Sequence, residues 1–176
     1  METTEKIVES YCRYVKGWLT LPNVKCEGQY EIDLLAIDPK SKRPNRYHIE
    51  SGVSISGSFS KLTAKPFSPH DLKIRIKQAG QRRTLGYFID RKFNLPEVQA
   101  ELQKYGFVPG NYSKVIVTWG WQTNVKALAD REKIQLWDFR EIVQEIAGAC
   151  RDHKTYFTDG TARTIQLFAM AAASKS

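Results

Sequence analysis

Asp33 and Glu50 are the two residues whose types and spacing most clearly suggest chemistry. Asp33 lies in the apolar run YEIDLLAID and Glu50 lies in RYHIESGVSIS, and both runs have strand character. A turn-rich stretch of about eight residues, DPKSKRPN, joins them. Because the connection is this short, we expect the two strands to form an antiparallel hairpin.

The hairpin register follows from the position of the loop. If the loop covers residues 38–45, Ile37 pairs with Arg46. The same register places Asp33 directly opposite Glu50, with Cβ atoms about 5 Å apart. Since two carboxylates at this distance repel, either one of them stays protonated or a cation bridges them. Two carboxylates with a backbone carbonyl and waters suit Mg²⁺ or Mn²⁺.

Composition limits the class of protein. A chain of 176 residues with 41% hydrophobic content is long enough for one domain, and we expect residues 1–176 to form it. Three widely spaced cysteines, Cys12, Cys26 and Cys150, indicate reduced thiols and argue against a disulfide framework or a zinc site. The charged N-terminus is unlike a signal peptide and no apolar run is long enough to span a bilayer, so we expect a cytoplasmic protein.

Most of the net charge of +8 is concentrated in residues 61–92, which contain nine Lys and Arg against two Asp. A local basic stretch favours contact with the phosphates of nucleic acid, although it is also compatible with a solvated surface. The candidate contacts are Lys61, Lys65, Lys73, Lys77, Arg82 and Arg83.

A helix should precede the hairpin and a basic helix should follow it. The first has apolar residues at helical spacing from Ile7 to Trp18, with Thr3 or Thr4 as N-cap. The second begins at the capping sequence Ser68-Pro69 and reaches about Thr84. Its expected core face is Leu72, Ile76 and Ala79; the period-two alternation of LKIRIK leaves a strand open.

The rest of the chain alternates between helix and strand patterns. LPEVQAELQKYG, residues 123–132 and DFREIVQEIAGAC are helical, whereas KVIVTW and IQLW are typical of short buried strands. This succession predicts a parallel β-α-β unit beside the hairpin, giving an α/β fold with a mixed central sheet and helices on both faces. The tail TYFTDGTARTIQLFAMAAASKS fits a hairpin or a last helix.

Residues 4–147 resemble the PD-(D/E)XK, restriction-endonuclease-like nucleases, leaving residues 151–176 as a C-terminal extension. The stretches that carry the resemblance are EGQYEIDLLAID, YHIES, KVIVTWGW and IQLWDFREIV. It implies a hairpin that carries metal-binding acids and a Mg²⁺- or Mn²⁺-dependent cleavage of DNA. In this resemblance Asp33 and Glu50 match the metal ligands, the Ser51 carbonyl matches the backbone ligand, and Glu9 matches an extra acid of the first helix.

The chain departs from the family at Gly52, where the motif Glu-x-Lys has its lysine. That lysine positions the attacking water and stabilises charge on the phosphoryl group, and glycine can do neither. Some members supply the group from another element, so Lys73 and Lys77 on the basic helix are candidate catalytic residues. Lys61 and Lys65 are the other candidates.

Three functions remain open on the sequence. The first is a cytoplasmic endodeoxyribonuclease that acts on nucleic acid, expected to be double-stranded DNA, in defence, recombination or repair, with a homodimer left open. The second is a nuclease-like module that binds nucleic acid or assembles with a partner without cleaving. The third is a protein-interaction domain with an acidic partner. His48 shares the strand face of Glu50 and is either a proton shuttle, a substrate contact or a structural histidine.

Overall fold

The structure, a computed structural model, describes residues 2–40, 42–57, 60–153 and 155–173. Within these ranges, five strands form one sheet in the order β1-β2-β3-β4-β5. The strands are β1 Leu19–Lys25, β2 Glu31–Asp38, β3 Asn45–Ser51, β4 Tyr112–Thr118 and β5 Ile134–Asp138. β1, β2 and β3 are antiparallel neighbours, and β4 and β5 continue the sheet parallel to β3. The predicted mixed α/β sheet is therefore confirmed.

Helices flank the sheet. They are α1 Thr3–Ser10, α2 Pro69–Leu72, α3 Arg75–Gln81, α4 Leu85–Phe88, α5 Pro96–Lys104, α6 Thr123–Arg131, α7 Phe139–Asp152 and α8 Gly160–Ala173. Two of them continue as short π-helical segments, Tyr11–Lys16 after α1 and Ile89–Phe93 after α4. In α5, β4, α6, β5 and α7 the structure agrees with the sequence pattern.

The two faces of the sheet belong to different parts of the core. Leu34 and Ala36 of β2 pack with residues of α1 and α7 on one face. Leu35 of β2 packs with α5, and Ile116 of β4 packs with α4 and α6. Since side chains alternate along a strand, Asp33 shares the face of Leu35 and points towards the side that carries α4 and α5.

The hairpin register is the predicted one. Ile37 pairs with Arg46, and the ladder continues to the pair formed by Leu34 and Ile49. Residue 33 is the next position beyond that last pair, on the side of residue 50. Only the connection is shorter than expected, because Asp38 and Asn45 still pair and the loop is reduced to residues 39–44.

The sequence pattern missed β1. The apolar spacing of the first helix runs to Trp18, and the chain leaves the helix at Gly17, whose φ is 72°. The strand begins almost at once, at Leu19. β1 lies at the edge of the sheet and buries only Val24, so it lacks the apolar run by which the inner strands were recognised. The N-cap of α1 is Glu2 rather than Thr3 or Thr4.

The predicted basic helix is wrong in its continuity and in its core face. Ser68 caps α2 as expected, but the chain becomes extended at Ile74 before α3 begins. Because of this break, the side chains of α3 point in other directions than a continuous helix would give them, and Ile76 is 86% exposed. Ala79 is exposed as well, so two of the three predicted core residues lie at the surface, while Leu72 is half-buried.

The C-terminal tail is a helix, which decides between the two alternatives left open. α8 packs on α7 and α1, and its buried residues are Ala162 and Gln166. The amide of Gln166 donates to the backbone carbonyls of Cys150, His153 and Thr155, which ties α8 to the end of α7. Among the described residues, no helix has the length and apolar character needed to cross a membrane.

Candidate active site

Asp33 and Glu50 lie side by side at the ends of β2 and β3. Asp33 is 8% exposed and Glu50 is completely buried. The backbone N–H of Ser51 donates to Asp33 Oδ2 over 2.7 Å, which fixes the Asp33 carboxylate against β3. The structure therefore brings together the two acids that the register predicted to be opposite each other.

Lys92 lies between the two carboxylates. Its Nζ atom is 3.0 Å from Asp33 Oδ1 and 2.6 Å from Glu50 Oε2, and it also donates to the Glu31 carbonyl over 3.3 Å. The side chain is only 20% exposed. The repulsion between the two carboxylates can be offset by protonation of one of them or by a bridging cation. In this structure the bridging cation is the ammonium group of Lys92.

The segment that carries Lys92 is π-helical. Thr84 caps α4 by accepting from the Tyr87 N–H, and the helix then widens into Ile89–Phe93. Phe93 is completely buried and anchors the end of the segment in the core. Single π-helical turns occur frequently at functional sites, because the extra residue changes the direction of a side chain without ending the helix.

Charges and burial shift the pKa values of this triad. Burial raises the pKa of Asp33 to about 7, the Glu50 carboxylate adds to the rise, and the Lys92 ammonium opposes it. Burial also raises the pKa of Glu50, again against the effect of Lys92. For Lys92, burial lowers the pKa, but the attraction of Glu50 and Asp33 is larger and the net shift is upward. Lys92 is thus charged at neutral pH, where Asp33 is close to its own pKa.

His48, on the same strand as Glu50, forms a hydrogen bond with its carboxylate. Its Nε2 atom is 2.7 Å from Glu50 Oε1, its ring meets Phe93 edge-on, and the residue is completely buried. Burial lowers the pKa of His48 to about 3, so the ring is neutral. Nδ1 has no hydrogen-bond partner among the described residues. We therefore place the proton on Nε2, because the reverse tautomer would bury an unpaired N–H donor. His48 positions Glu50 and is out of reach of a substrate.

The packing around Gly52 leaves little room for a side chain at the position where the resemblance would place a lysine. A Cβ atom at Gly52 would lie 2.5 Å from Phe88 Cζ and 3.2 Å from the Arg83 guanidinium. Phe88 is a buried core residue of α4, so its ring cannot move aside easily. Phe88 fills the space beside the acids, and Lys92 of the same helical stretch supplies the positive charge.

Glu9, the acid of α1 that the resemblance selects, has partners of its own. Its carboxylate accepts from the Thr20 hydroxyl over 3.1 Å and lies 3.8 Å from Arg13. For Glu5, one turn earlier, burial raises the pKa, and the charge of Asp33 contributes to the rise. A role for Glu9 beside the metal stays a prediction from the resemblance.

The four lysines proposed as substitutes for the missing one lie elsewhere. Lys77 pairs with Asp71 at 3.1 Å, and no hydrogen bond or ion pair of the described residues joins Lys61, Lys65 or Lys73 to the acid pair. The sequence did not predict Lys92 as a site residue, because no motif or spacing near it marks it as one. Its only signal is a charged triplet, Asp90-Arg91-Lys92, between the apolar residues Ile89 and Phe93.

Two clefts divide the basic stretch. The first, about 260 Å³, is bordered by Lys61, Lys65, Lys77 and Arg83 and is called the α3 groove below. The second, about 300 Å³, is bordered by Arg82, Arg91 and Lys92 and is called the Lys92 cleft. Five of the six predicted nucleic-acid contacts therefore line one of two neighbouring concave surfaces, and Lys73 is the exception. A larger cleft of about 550 Å³ between α1 and α8 contains no member of the triad.

Comparisons with protein-family models, curated proteins and solved structures give no match to this chain. The resemblance to the restriction-endonuclease-like nucleases therefore depends on the residues and the geometry described above.

The donor atoms of the site fit a hard divalent cation in their chemistry. No group of three or more His, Cys, Asp or Glu side chains that could hold a metal occurs within the described ranges, so the available protein ligands are two carboxylates and the Ser51 carbonyl. A carboxylate has about four lone-pair positions, and the contacts given above use two on each acid. Ser51 Oγ is also buried without a hydrogen-bond partner in the described part of the chain. A metal bound there shares both carboxylates with Lys92.

Proposed function

We propose that the protein is a Mg²⁺- or Mn²⁺-dependent endodeoxyribonuclease whose active site is Asp33, Glu50 and Lys92. The observation that carries the proposal is the position of Lys92 Nζ, within 3.0 Å of both carboxylates. A nuclease of the restriction-endonuclease-like kind needs two acids and one lysine at the scissile phosphate. This chain lacks the lysine at its usual position, and Lys92 offers an equivalent from another element.

Each residue has a defined part in the proposed reaction. Asp33, Glu50 and the Ser51 carbonyl would hold the metal. When bound, the metal lowers the pKa of a coordinated water and stabilises charge on the phosphoryl group. Lys92 holds a positive charge where the phosphate must approach the acids, which stabilises the additional negative charge of the transition state. His48 keeps Glu50 oriented by donating to Oε1.

Binding of DNA is assigned to the basic side of the molecule. Lys61, Lys65 and Lys77 of the α3 groove are exposed and can contact phosphates without giving up a buried ion pair. Such contacts hold the DNA backbone and do not select a base sequence. Double-stranded DNA as the substrate, a homodimer and a cytoplasmic location stay predictions from the sequence.

Cleavage of supercoiled plasmid DNA tests the proposal. The wild-type protein should nick or cut the plasmid in Mg²⁺ or Mn²⁺, and chelation of the metal should stop the reaction. Asp33→Ala and Glu50→Ala should each abolish cleavage. The matched control is Asp71→Ala, which removes an acid that contacts Lys77 within the same basic stretch. Cleavage that survives in both active-site variants would refute the proposal.

A second candidate function is a nuclease-like module that binds DNA without cleaving it. The same ion triad favours it in one respect: Lys92 already pairs with both carboxylates and offsets part of their repulsion, without any metal. Calorimetric titration with Mn²⁺ separates the two candidates. Binding that is lost in Asp33→Ala supports the nuclease, whereas DNA binding without any Mn²⁺ uptake supports the module.

A further inference from the structure

The Lys92 cleft contains aromatic rings as well as positive charges. Tyr30 and Tyr87 line it together with Leu72 and the three cations Arg82, Arg91 and Lys92. The Arg91 guanidinium carbon lies 5.6 Å from the centre of the Tyr30 ring, which is a cation–π contact. Tyr30 and Tyr87 are each partly exposed, so their rings are accessible from the cleft.

The charge of the cleft is suited to a phosphate. The acid at its border is Glu31, whose carboxylate forms an ion pair with Lys25 and whose backbone carbonyl accepts from Lys92. Arg82 is exposed and has no acidic partner among the ion pairs of the described residues. The cleft is therefore bordered by three cationic residues, of which Lys92 already pairs with Asp33 and Glu50.

Lys92 connects this cleft to the acid pair. Lys92 lines the cleft, and its ammonium group contacts Asp33 and Glu50. A phosphate that reaches Lys92 through the cleft therefore arrives beside the carboxylates. The group attached to that phosphate must occupy the rest of the cleft, among the two tyrosines and Arg91.

The volume of about 300 Å³ limits what can enter. It lies at the lower end of the range for small-molecule sites, about 300–1,000 Å³, and is far too small for a duplex. Tyrosine rings and arginine planes are the groups on which proteins stack the bases of single strands. A base offers its face for such stacking only after it has left the duplex.

We propose that the Lys92 cleft holds one unpaired nucleotide of a DNA strand, with its phosphate on Arg82, Arg91 and Lys92 and its base against Tyr30 and Tyr87. This inference rests on the proposed function and names its substrate as a strand that is single at the active site, such as a frayed end or a flap. The expected double-stranded substrate is then opened locally before it reacts.

Fluorescence anisotropy in EDTA and low salt tests the cleft without any cleavage. The two probes are a labelled oligothymidylate and a labelled hairpin duplex with the same number of phosphates. The wild-type protein should bind the single strand more tightly. Tyr30→Leu should weaken single-strand binding by about 5- to 100-fold, the usual effect of losing one stacking partner, and should leave duplex binding nearly unchanged. Tyr30→Phe, which keeps the ring, should bind like the wild type.

Tyr156→Leu is the matched control. Tyr156 is 61% exposed and also lies beneath an arginine, since the Arg163 guanidinium carbon is 5.1 Å from its ring centre. It is outside the Lys92 cleft, so this substitution should leave both affinities unchanged. If circular dichroism shows that Tyr30→Leu does not fold, Arg91→Gln replaces it, with the same expected loss of preference for the single strand.

The outcomes separate this inference from the proposed function. Equal affinity of the wild type for both probes, or an equal loss for both probes in the Tyr30 or Arg91 variant, would overturn the nucleotide cleft. Metal-dependent cleavage without any single-strand preference would leave the nuclease standing and reject the cleft. Single-strand binding that depends on Tyr30, without cleavage in any metal, would confirm the cleft and reject the nuclease.

Discussion

Lys92 holds a positive charge between two carboxylates that are almost completely removed from solvent. Ion pairs of this kind contribute little net stability compared with apolar residues, because all the charges lose their hydration. Removing one partner is costly, since the remaining charges are then buried without compensation. The triad is therefore a site whose members depend on one another.

Lys92→Met measures this dependence. We expect it to lower the free energy of unfolding at neutral pH by about 3–5 kcal/mol, because Asp33 and Glu50 lose their common cation. Urea unfolding followed by circular dichroism gives the value. Adding Asp33→Asn to Lys92→Met should restore part of the loss, since only one buried carboxylate then remains.

The control for that prediction is Lys77→Met, which removes an exposed lysine whose partner Asp71 is at the surface. Its effect on stability should be small. A loss in Lys92→Met of no more than about 0.5 kcal/mol, the range of ordinary surface substitutions, would show that the triad is not formed in solution.

Burial of His48 makes the stability of the protein depend on pH. The pKa of His48 is lowered by burial to about 3 in the folded protein, against an ordinary value of 6.5. The folded state therefore binds fewer protons than the unfolded state between these values. The stability that His48 contributes is complete above a pH of about 6.5 and is lost as the pH falls towards 3.

His48→Gln keeps a donor for Glu50 and removes the titration. As the pH is lowered from about 6 to about 4, the variant should gain stability relative to the wild type by up to about 1.4 kcal/mol per pH unit. The raised pKa values of Asp33 and Glu50 act in the opposite direction, but they are present in both proteins and largely cancel. A stability difference that does not change with pH would contradict the assignment of a buried, neutral His48.

At the scale of elements, α4 and its π-helical extension perform two tasks at the site. Phe88 fills the space beside Gly52, and Lys92, four residues later, reaches the acids from the same side of the sheet. The same helical stretch thus fills the space at position 52 of the hairpin and places a lysine beside the acids. A lysine at position 52 would require the Phe88 ring to shift.

Gly52→Ala tests this packing. The new Cβ would be 2.5 Å from Phe88 Cζ, so we expect a loss of about 1–3 kcal/mol in the free energy of unfolding, as for other overpacked cores. The matched control is Gly148→Ala within α7, where an added Cβ meets nothing within 4 Å. Helix propensity predicts that this control gains about 0.5–1 kcal/mol. A Gly52→Ala protein as stable as the wild type would mean that Phe88 does not close the site.

The hairpin was predictable because its register depends on local information. A short turn-rich loop fixes which residues pair, and the alternation of side chains then places Asp33 and Glu50 on one face. The break at Ile74 and the position of Lys92 were not predictable in this way. The position of Lys92 depends on how α4 packs against a strand that is far away in the sequence, and propensity yields to such tertiary contacts. α3 buries no residue, so the apolar spacing of its sequence does not determine its orientation.

At the scale of the whole molecule, the basic stretch and the helix that carries Lys92 lie on the side of α4, whereas α1 and α7 cover the opposite face of the sheet. In the proposed function, DNA approaches from the α4 side, where the α3 groove and the Lys92 cleft lie.

The salt dependence of DNA binding tests this polarity. Lys61→Ala and Lys65→Ala should each reduce the slope of log K against log salt concentration by about 0.9 if each lysine contacts one phosphate of a duplex. Arg151→Ala is the control, because Arg151 lies at the end of α7 on the opposite face of the sheet. Equal changes in all three variants would indicate a general attraction without a preferred side.

In the proposed nuclease, Lys92, and not a lysine of α3, completes the active site. Single-turnover cleavage of DNA in Mn²⁺ by Lys92→Gln and Lys77→Gln tests it directly, with circular dichroism to establish that both proteins are folded. We predict that Lys92→Gln loses on the order of 100- to 1,000-fold in rate, the usual effect of removing one group that stabilises transition-state charge. Lys77→Gln should cleave at nearly the wild-type rate. A folded Lys92→Gln protein that cleaves like the wild type, or a larger loss in Lys77→Gln, would contradict the account.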